Sequence, residues 1–261
     1  MEANTTGSNG SEPIIRVEGF TAAYGANVVI DDISFDVLRG EIFAILGGSG
    51  CGKSTMLKHM IGLFEPTGGR ILINDTDLSR VMGEERKKII RMFGVMYQLG
   101  ALFGNMTLLE NVKLPMEEFT ALPEEAMDRI SLMKLELVGL REASHLMPSE
   151  ISGGMQKRAA IARAMSLDPQ ILFLDEPSAG LDPVTSAEVD QLILKLKKIL
   201  GITFVVVTHE LPSIYTIADR VIMLDKRSKK IVATGKPQDL RDHSDDSWVR
   251  QFFNRESEGA S

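Results

Sequence analysis

The spacing of apolar positions changes along the chain, and each change marks an element. From Ile14 the text IIRVEGF, and then ISFDV with Ile33, Phe35 and Val37 alternating with polar residues, predicts short half-exposed strands of an antiparallel sheet. EIFAIL (Glu41 to Leu46) is almost continuously apolar, which is how a strand buried on both faces reads. GGSGCGKST follows at once, then Met56, Leu57, Met60 and Ile61 at helical spacing, closed by the EPTGG turn. Three further apolar runs predict strands: FGVMY (Phe93 to Tyr97), ILFLD (Ile171 to Asp175) and ITFVVVT (Ile202 to Thr208). Helical patterns lie between them, and alternating β and α elements predict a parallel sheet with helices on both faces.

Between Gln98 and about Asp168 no strand pattern occurs, and PEEAMDRISLMKLELVGL (Pro123 to Leu140) carries a helical apolar stripe. An inserted helical subdomain over about 99–168 is expected. Residues 1–13, MEANTTGSNGSEP, are small and polar and predict a flexible leader outside the fold, which then occupies 14–240. The tail, 241–261, is polar except for Trp248, Val249, Phe252 and Phe253. Their spacing puts Trp248, Val249 and Phe252 on one face of a short helix, with Ser247 or an upstream Asp as its N-cap. Aromatics of this size must dock, either on the chain's own core or on a partner.

Length and charge narrow the class. At 261 residues the chain suits one domain with an insertion, and its 44% hydrophobic and 25% charged residues are ordinary for a globular protein. The net charge is −7 and no long run of Lys and Arg occurs, which argues against nucleic acid as the main partner. No apolar stretch approaches the roughly 18 to 20 residues that span a bilayer, and the N-terminus lacks a signal-peptide segment. A cytoplasmic location is expected. The single cysteine, Cys51, has no partner for an internal disulfide, which agrees with a reducing compartment.

The candidate chemistry begins at GGSGCGKS (Gly47 to Ser54), which fits G-x-x-x-x-G-K-[ST] in full and sits between a strand and a helix, where a phosphate cradle needs it. Gly47, Gly48, Ser49, Gly50, Cys51, Gly52, Lys53, Ser54 and Thr55 are therefore the expected nucleotide-binding residues. Glycines let successive N–H groups converge on the β- and γ-phosphates, and the helix N-terminus adds favourable partial charge. Lys53 is expected on the β/γ oxygens and Ser54 on Mg²⁺. Cys51 reads as a small side chain facing away from the phosphates, in preference to a redox group. ILFLDEP supplies the other half: Asp175 ends a buried strand in position to hold Mg²⁺, and Glu176 is suited to orient and deprotonate water.

ISGGMQ (Ile151 to Gln156) resembles the signature of the ABC family, in which an LSGGQ-type motif opens a helix and is followed by a Walker B strand, a D-loop and a switch histidine. All occur here in that order. Ser152, Gly153 and Gly154 form a second helix start suited to an anion; Met155 and Ile151 depart from the commonest Gln and Leu. The resemblance implies a P-loop NTPase fold with a RecA-like parallel-sheet core, an N-terminal antiparallel β subdomain and the inserted helical subdomain. It further implies that Tyr24 stacks on adenine, Gln98 reaches the metal and the reacting water, Ser178 to Asp182 form the D-loop, and His209 contacts the γ-phosphate. Standing alone, a Tyr or a His is more often structural.

One phosphate loop and one signature per chain imply, by the same resemblance, a homodimer that holds two ATP molecules head to tail and drives a separate transmembrane permease. ABC ATPases of DNA repair or translation carry coiled-coil arms, zinc cysteines or two cassettes, none of which occurs here; a regulatory, non-catalytic subunit is expected to lack Glu176 or His209. At finer grain, YQLGALFGNMTLLENVKLPMEE and SEISGGMQKRAAIARAMSLDPQILFLDEPSAGLDP resemble the ATPases of bacterial Mla (MCE-associated) phospholipid transporters, with Leu99 where that group has Ser. This implies phospholipid cargo, a place on the inner face of the bacterial inner membrane, and an MCE-domain lipid-binding protein and a small accessory cytoplasmic subunit as further partners. Import of amino acids or other small solutes is the alternative. The apolar cluster Leu99, Ala101, Leu102, Phe103 and Met106 has two readings: packing inside the helical subdomain, or receiving a helix of the permease.

Overall fold

A computed structural model describes residues 12–254 of the chain. It opens with β1 (Pro13–Tyr24) and β2 (Asn27–Leu38), an antiparallel hairpin in which Val17 lies opposite Phe35 and Tyr24 opposite Asn27. β3 (Ile42–Gly47) leads into α1 (Lys53–Met60), followed by β4 (Gly68–Ile73), β5 (Thr76–Asp77), α2 (Gly83–Ile90) and β6 (Phe93–Met96). Helices α3 (Leu108–Phe119), α4 (Glu124–Leu137) and α5 (Gly153–Ala164) come next without an intervening strand. The remainder alternates: β7 (Ile171–Asp175), α6 (Pro183–Leu200), β8 (Thr203–Val207), α7 (Leu211–Ile217), β9 (Arg220–Leu224) and β10 (Ile231–Gly235), and then α8 (Pro237–His243) and α9 (Ser247–Asn254).

Two sheets result. The smaller is antiparallel in the order β2-β1-β4-β5, and the larger runs β10-β9-β3-β8-β7-β6, parallel throughout except for β10 against β9. β3 is buried along its whole length because both faces of the larger sheet are covered. Phe43 and Ile45 point into a core shared with Phe20, Ile30 and Phe35 of the small sheet. Ile42 joins the opposite cluster under α5 and α6, and Ala44 and Leu46 join a third cluster under α7 and α9. A strand that feeds apolar side chains in both directions cannot alternate, so EIFAIL reads as one continuous run. β2, covered on one face only, buries Ile33, Phe35 and Val37 and exposes Ser34 and Asp36. The α/β class, the parallel core and the N-terminal antiparallel sheet expected from sequence are all present.

Helix α5 lies so close to β6 that a Cβ added at Gly94 would stand 1.8 Å from the Ala164 carbonyl oxygen. That contact holds the helix opened by Ser152 against the edge of the large sheet. Three expectations are corrected. Pro13, assigned to the leader, begins β1 opposite Leu38, and the leader residues 1–11 lie outside the described residues. Gly68 and Gly69 of the EPTGG turn already belong to β4, since α1 ends at Met60 and the chain turns just beyond it at Gly62, φ +72. In the tail, Val249 and Phe253 are the buried pair, a spacing of four, whereas Trp248 and Phe252 only flank the cluster.

The tail docks on the chain's own core. Val249 is 0% and Phe253 3% exposed, packed with Leu46, Leu211, Ile214 and Met223. Asp246 caps α9 by accepting from the Trp248 N–H at 2.8 Å, and the Tyr215 hydroxyl donates to the Phe253 carbonyl at 3.0 Å. The remaining tail residues, 255–261, lie outside the described residues.

Candidate active site

The site is assembled by strand register. Asp175, Val207 and Ile45 are aligned across β7, β8 and β3, so β7 and β8 end level and β3 runs two residues further, to Gly47. Their continuations converge at one edge of the sheet: Glu176 after β7, Thr208 and His209 after β8, and the loop Gly48 to Gly52 after β3. Ligands of open α/β sheets collect at such carboxyl ends.

The loop can only be built from glycine where it turns hardest. A Cβ at Gly47, φ +143, would lie 2.4 Å from the Leu224 carbonyl oxygen, and one at Gly52, φ +107, would lie 2.8 Å from Ile30. Helix α1 starts with no side-chain cap and no acidic residue in its first turn. Its N-terminal dipole thus faces the loop uncompensated, a ready anion seat. Lys53 folds back to donate to the carbonyls of Gly47 at 2.8 Å and Gly48 at 3.2 Å. Cys51 is 2% exposed and lies in the core beneath the loop, where burial raises its thiol pKa and Lys53 opposes the rise. Only its backbone faces the cradle.

Glu176 carries the densest local chemistry. Its backbone is left-handed, φ +50, a conformation that costs a non-glycine residue about 1 kcal/mol or more, and its side chain is 8% exposed. The N–H donates to the Val207 carbonyl at 2.8 Å, which fixes the turn. Oε1 lies 2.7 Å from His209 Nδ1, while Oε2 is buried with no partner among the described residues. Burial pushes the Asp175 carboxyl above the usual carboxylate range and the Glu176 charge adds to it, against Lys157, Lys58 and Lys53. Strain, an orphaned carboxylate oxygen and a histidine contact at one residue fit a group held ready for a substrate.

Lys157 escaped the sequence reading. Although 7% exposed, it donates to the Gln98 carbonyl and to the Glu176 carbonyl, the latter at 3.1 Å, so it ties the loop after β6 to the end of β7. Burial lowers its pKa, and Glu176 and Asp175 oppose that. In sequence it stands in the polar run Gln156-Lys157-Arg158, and only its spacing from Ala160 and Ile161, three and four residues on, places it on the buried side of the helix.

Other expected residues lie apart. Tyr24, 49% exposed, stands at the β1–β2 hairpin, edge-on to Phe64 with ring centroids 6.2 Å apart. Ser152 caps α5, accepting from the Met155 N–H at 3.3 Å, and is exposed with Gly153. The neighbours of Gly153 and Gly154 are Leu181 and Thr185, not the phosphate loop. For a cation, no group of three or more His, Cys, Asp or Glu side chains occurs among the described residues. Mg²⁺ does not need one, because it keeps waters and phosphate oxygens and takes one or two protein ligands. The oxygen donors Ser54, Gln98 and Asp175 fit that demand.

A glycine-built phosphate loop on a parallel sheet, with two acids ending the second strand over, defines a P-loop ATPase. Residues 30–179 match the family model described as ABC transporter, and the chain belongs to that family. It is 42% identical over 95% of its length to a probable ribonucleotide transport ATP-binding protein of Mycobacterium leprae, covering 72% of that protein. It is 40% identical to the intermembrane phospholipid transport ATP-binding protein MlaF of Haemophilus influenzae, covering 95% of this chain and 93% of that one. Escherichia coli K12 MlaF is 41% identical, with 90% of this chain and 86% of that one covered.

Among solved structures, cbiO1 of a Clostridium perfringens ABC transporter complex superposes with TM-score 0.80 at 28% identity, over 89% of this chain and 92% of that one. A dimeric ATP-binding cassette in a post-hydrolysis state with ADP and phosphate superposes with TM-score 0.75 at 31% identity, over 85% and 98%. The chain is an ABC-type ATPase, the ATP-hydrolysing subunit of a transporter. No helix among the described residues is long and apolar enough to cross a membrane.

Proposed function

We propose that two copies of this chain clamp two ATP molecules head to tail and use their hydrolysis to drive phospholipid transport through a separate membrane subunit. The observation that carries the catalytic reading is Glu176 with Oε1 2.7 Å from His209 Nδ1 and Oε2 left without a partner, at the strand ends beside the phosphate loop. In this reading Lys53 exchanges its two loop carbonyls for the β/γ oxygens, and the N–H groups from Gly48 to Thr55 cradle the phosphates. Glu176 Oε2 takes the proton of the attacking water, and His209 holds the Glu176 side chain in place while its exposed ring reaches the γ-phosphate. Ser54, Asp175 and Gln98 would hold Mg²⁺, which neutralises charge on the transferring phosphate. Tyr24 stacks on the adenine.

The dimer is supported by the exposure of Ser152 and Gly153 away from their own loop, which leaves that helix start free to meet the ATP of a second copy. The dimeric ATP-binding cassette bound to ADP and phosphate points the same way. The membrane subunit has a candidate seat after Gln98, where Leu99 is 90% and Phe103 48% exposed. Arg163 donates to the Ala101 carbonyl at 2.6 Å, and buried Asn111 accepts from the Phe103 N–H at 2.7 Å. The loop is thus held while Leu99, Ala101 and Phe103 face outward, Met106 is half-buried and Leu102 packs against the core. Phe103→Asp should abolish co-purification with the membrane subunit while ATP binding persists. Retained complex would overturn this seat.

Phospholipid cargo rests on the two phospholipid-system relatives and on the segments around Leu99 and Met155. An inner-membrane location, an MCE-domain lipid-binding protein and a small accessory subunit belong to the same reading. The Mycobacterium leprae relative favours a second one, a nucleotide cargo. Transport by the assembled complex in vesicles separates them: ATP-dependent movement of labelled phospholipid supports the first, and movement of ribonucleotide alone contradicts it.

A further inference from the structure

Strand β6 stops pairing with β7 at Met96, opposite Leu174. Gln98 and Glu176 each lie two residues beyond that pair, where the ladder no longer joins the two segments. The buried ammonium of Lys157 bridges them instead, donating to the Gln98 carbonyl and, at 3.1 Å, to the Glu176 carbonyl. Lys157 stands in the second turn of α5, the helix that Ser152 caps. The same helix grips the loop again through Arg163, which donates to the carbonyls of Gly100 at 3.2 Å and Ala101 at 2.6 Å. At the other end, the Glu176 carbonyl also accepts from the Ala179 N–H at 3.2 Å, which closes the turn after β7.

Folding stability alone does not account for an ammonium here. Ala160 and Ile161 on the same side of α5 are fully buried, and an apolar chain of similar length would pack beside them without stripping a cation of its water. The connections of Lys157 do account for it. Both of its acceptors are main-chain carbonyls of residues whose side chains belong to the site. Gln98 is exposed, so its side chain is free to move while its backbone is held. Glu176 has left the ladder in a left-handed conformation, φ +50, and needs fixing from outside the sheet.

We propose that Lys157 is a positioning residue for ATP hydrolysis: its ammonium takes over where the β6–β7 ladder stops and fixes the backbone of Gln98 against that of Glu176. Lys157 touches no nucleotide. It sets the spacing of the two side chains that meet the reacting water, so its loss changes turnover and not ATP affinity. The inference rests on the roles given above to Gln98 and Glu176.

The test measures steady-state hydrolysis and equilibrium ATP binding of the full chain and of Lys157→Met, which keeps the length of the side chain and loses its donors. Its kcat should fall roughly 10- to 100-fold, as misplacement of a reacting group does, while ATP affinity stays within about twofold of the parent. Added to Glu176→Gln, the same change should slow the residual rate by less than about twofold, because the position of a lost base no longer matters. A merely structural role would lower affinity and rate together and would multiply with Glu176→Gln. Either result overturns the proposal, as does a Lys157→Met variant with kcat within about twofold of the parent. If Lys157→Met fails to fold, Lys157→Ala, which also removes the donors, is judged by the same limits. Normal turnover in Glu176→Gln would refute the catalytic roles themselves, whereas an inactive Glu176→Gln beside a fully active Lys157→Met refutes only the brace.

Discussion

Phe253 sits 3% exposed against Leu46, Leu211, Ile214 and Met223, and Leu46 is the last residue but one of the strand that carries the phosphate loop. Replacing it with Ala removes a ring that also contacts Tyr215 and Phe252, while the bond from the Tyr215 hydroxyl goes to backbone and survives. Phe-to-Ala changes in well-packed sites cost about 3 to 5 kcal/mol, and the lower end applies here because α9 is terminal and can shift. For a domain of this size, about 3 kcal/mol corresponds to a fall in melting temperature of roughly 6 to 12 °C. The assay is thermal unfolding of the full chain, beside sedimentation to follow association. Lower melting with unchanged association is expected, since the tail packs on its own chain. Unchanged melting with weakened association would refute this reasoning and make the tail a clasp between subunits.

Other consequences follow from the same geometry. Lys53→Ala should weaken ATP binding itself, measured by equilibrium titration, because the ammonium that now bonds the Gly47 and Gly48 carbonyls is the loop's own cation. Cys51 should react slowly with maleimide at neutral pH, because burial both covers the thiol and raises its pKa; rapid labelling of the folded chain would contradict its place beneath the loop. Trp248, the only tryptophan, lines a groove with Gly48, Ser49 and Lys226, so ATP binding should change its emission; a flat signal at saturating ATP would count against that groove.

The sequence made the large sheet legible wherever strands are buried on both faces, because such runs as EIFAIL and ILFLD leave few alternatives. β9 and β10 were harder. RVIML is a short apolar run that periodicity alone does not distinguish from a helix, and β10 is an edge strand with no fully buried residue. In the tail, spacing groups Val249 with Trp248 and Phe252, whereas the structure buries Val249 with Phe253, four residues on, and leaves Trp248 and Phe252 at the margin of the third cluster. In the site, the phosphate loop and the Asp175–Glu176 pair stood out because their chemistry needs contiguous residues. Lys157 did not, because it acts through partners at least 19 residues away in sequence, the carbonyls of Glu176 and Gln98.

The central claim, that Glu176 activates the water while His209 holds it in place, is tested most directly by Glu176→Gln in the assembled transporter. The amide keeps the shape of the side chain but gives up the base. Steady-state ATP hydrolysis should fall on the order of 10²- to 10⁴-fold while ATP stays bound. Undiminished hydrolysis in that variant would contradict the account.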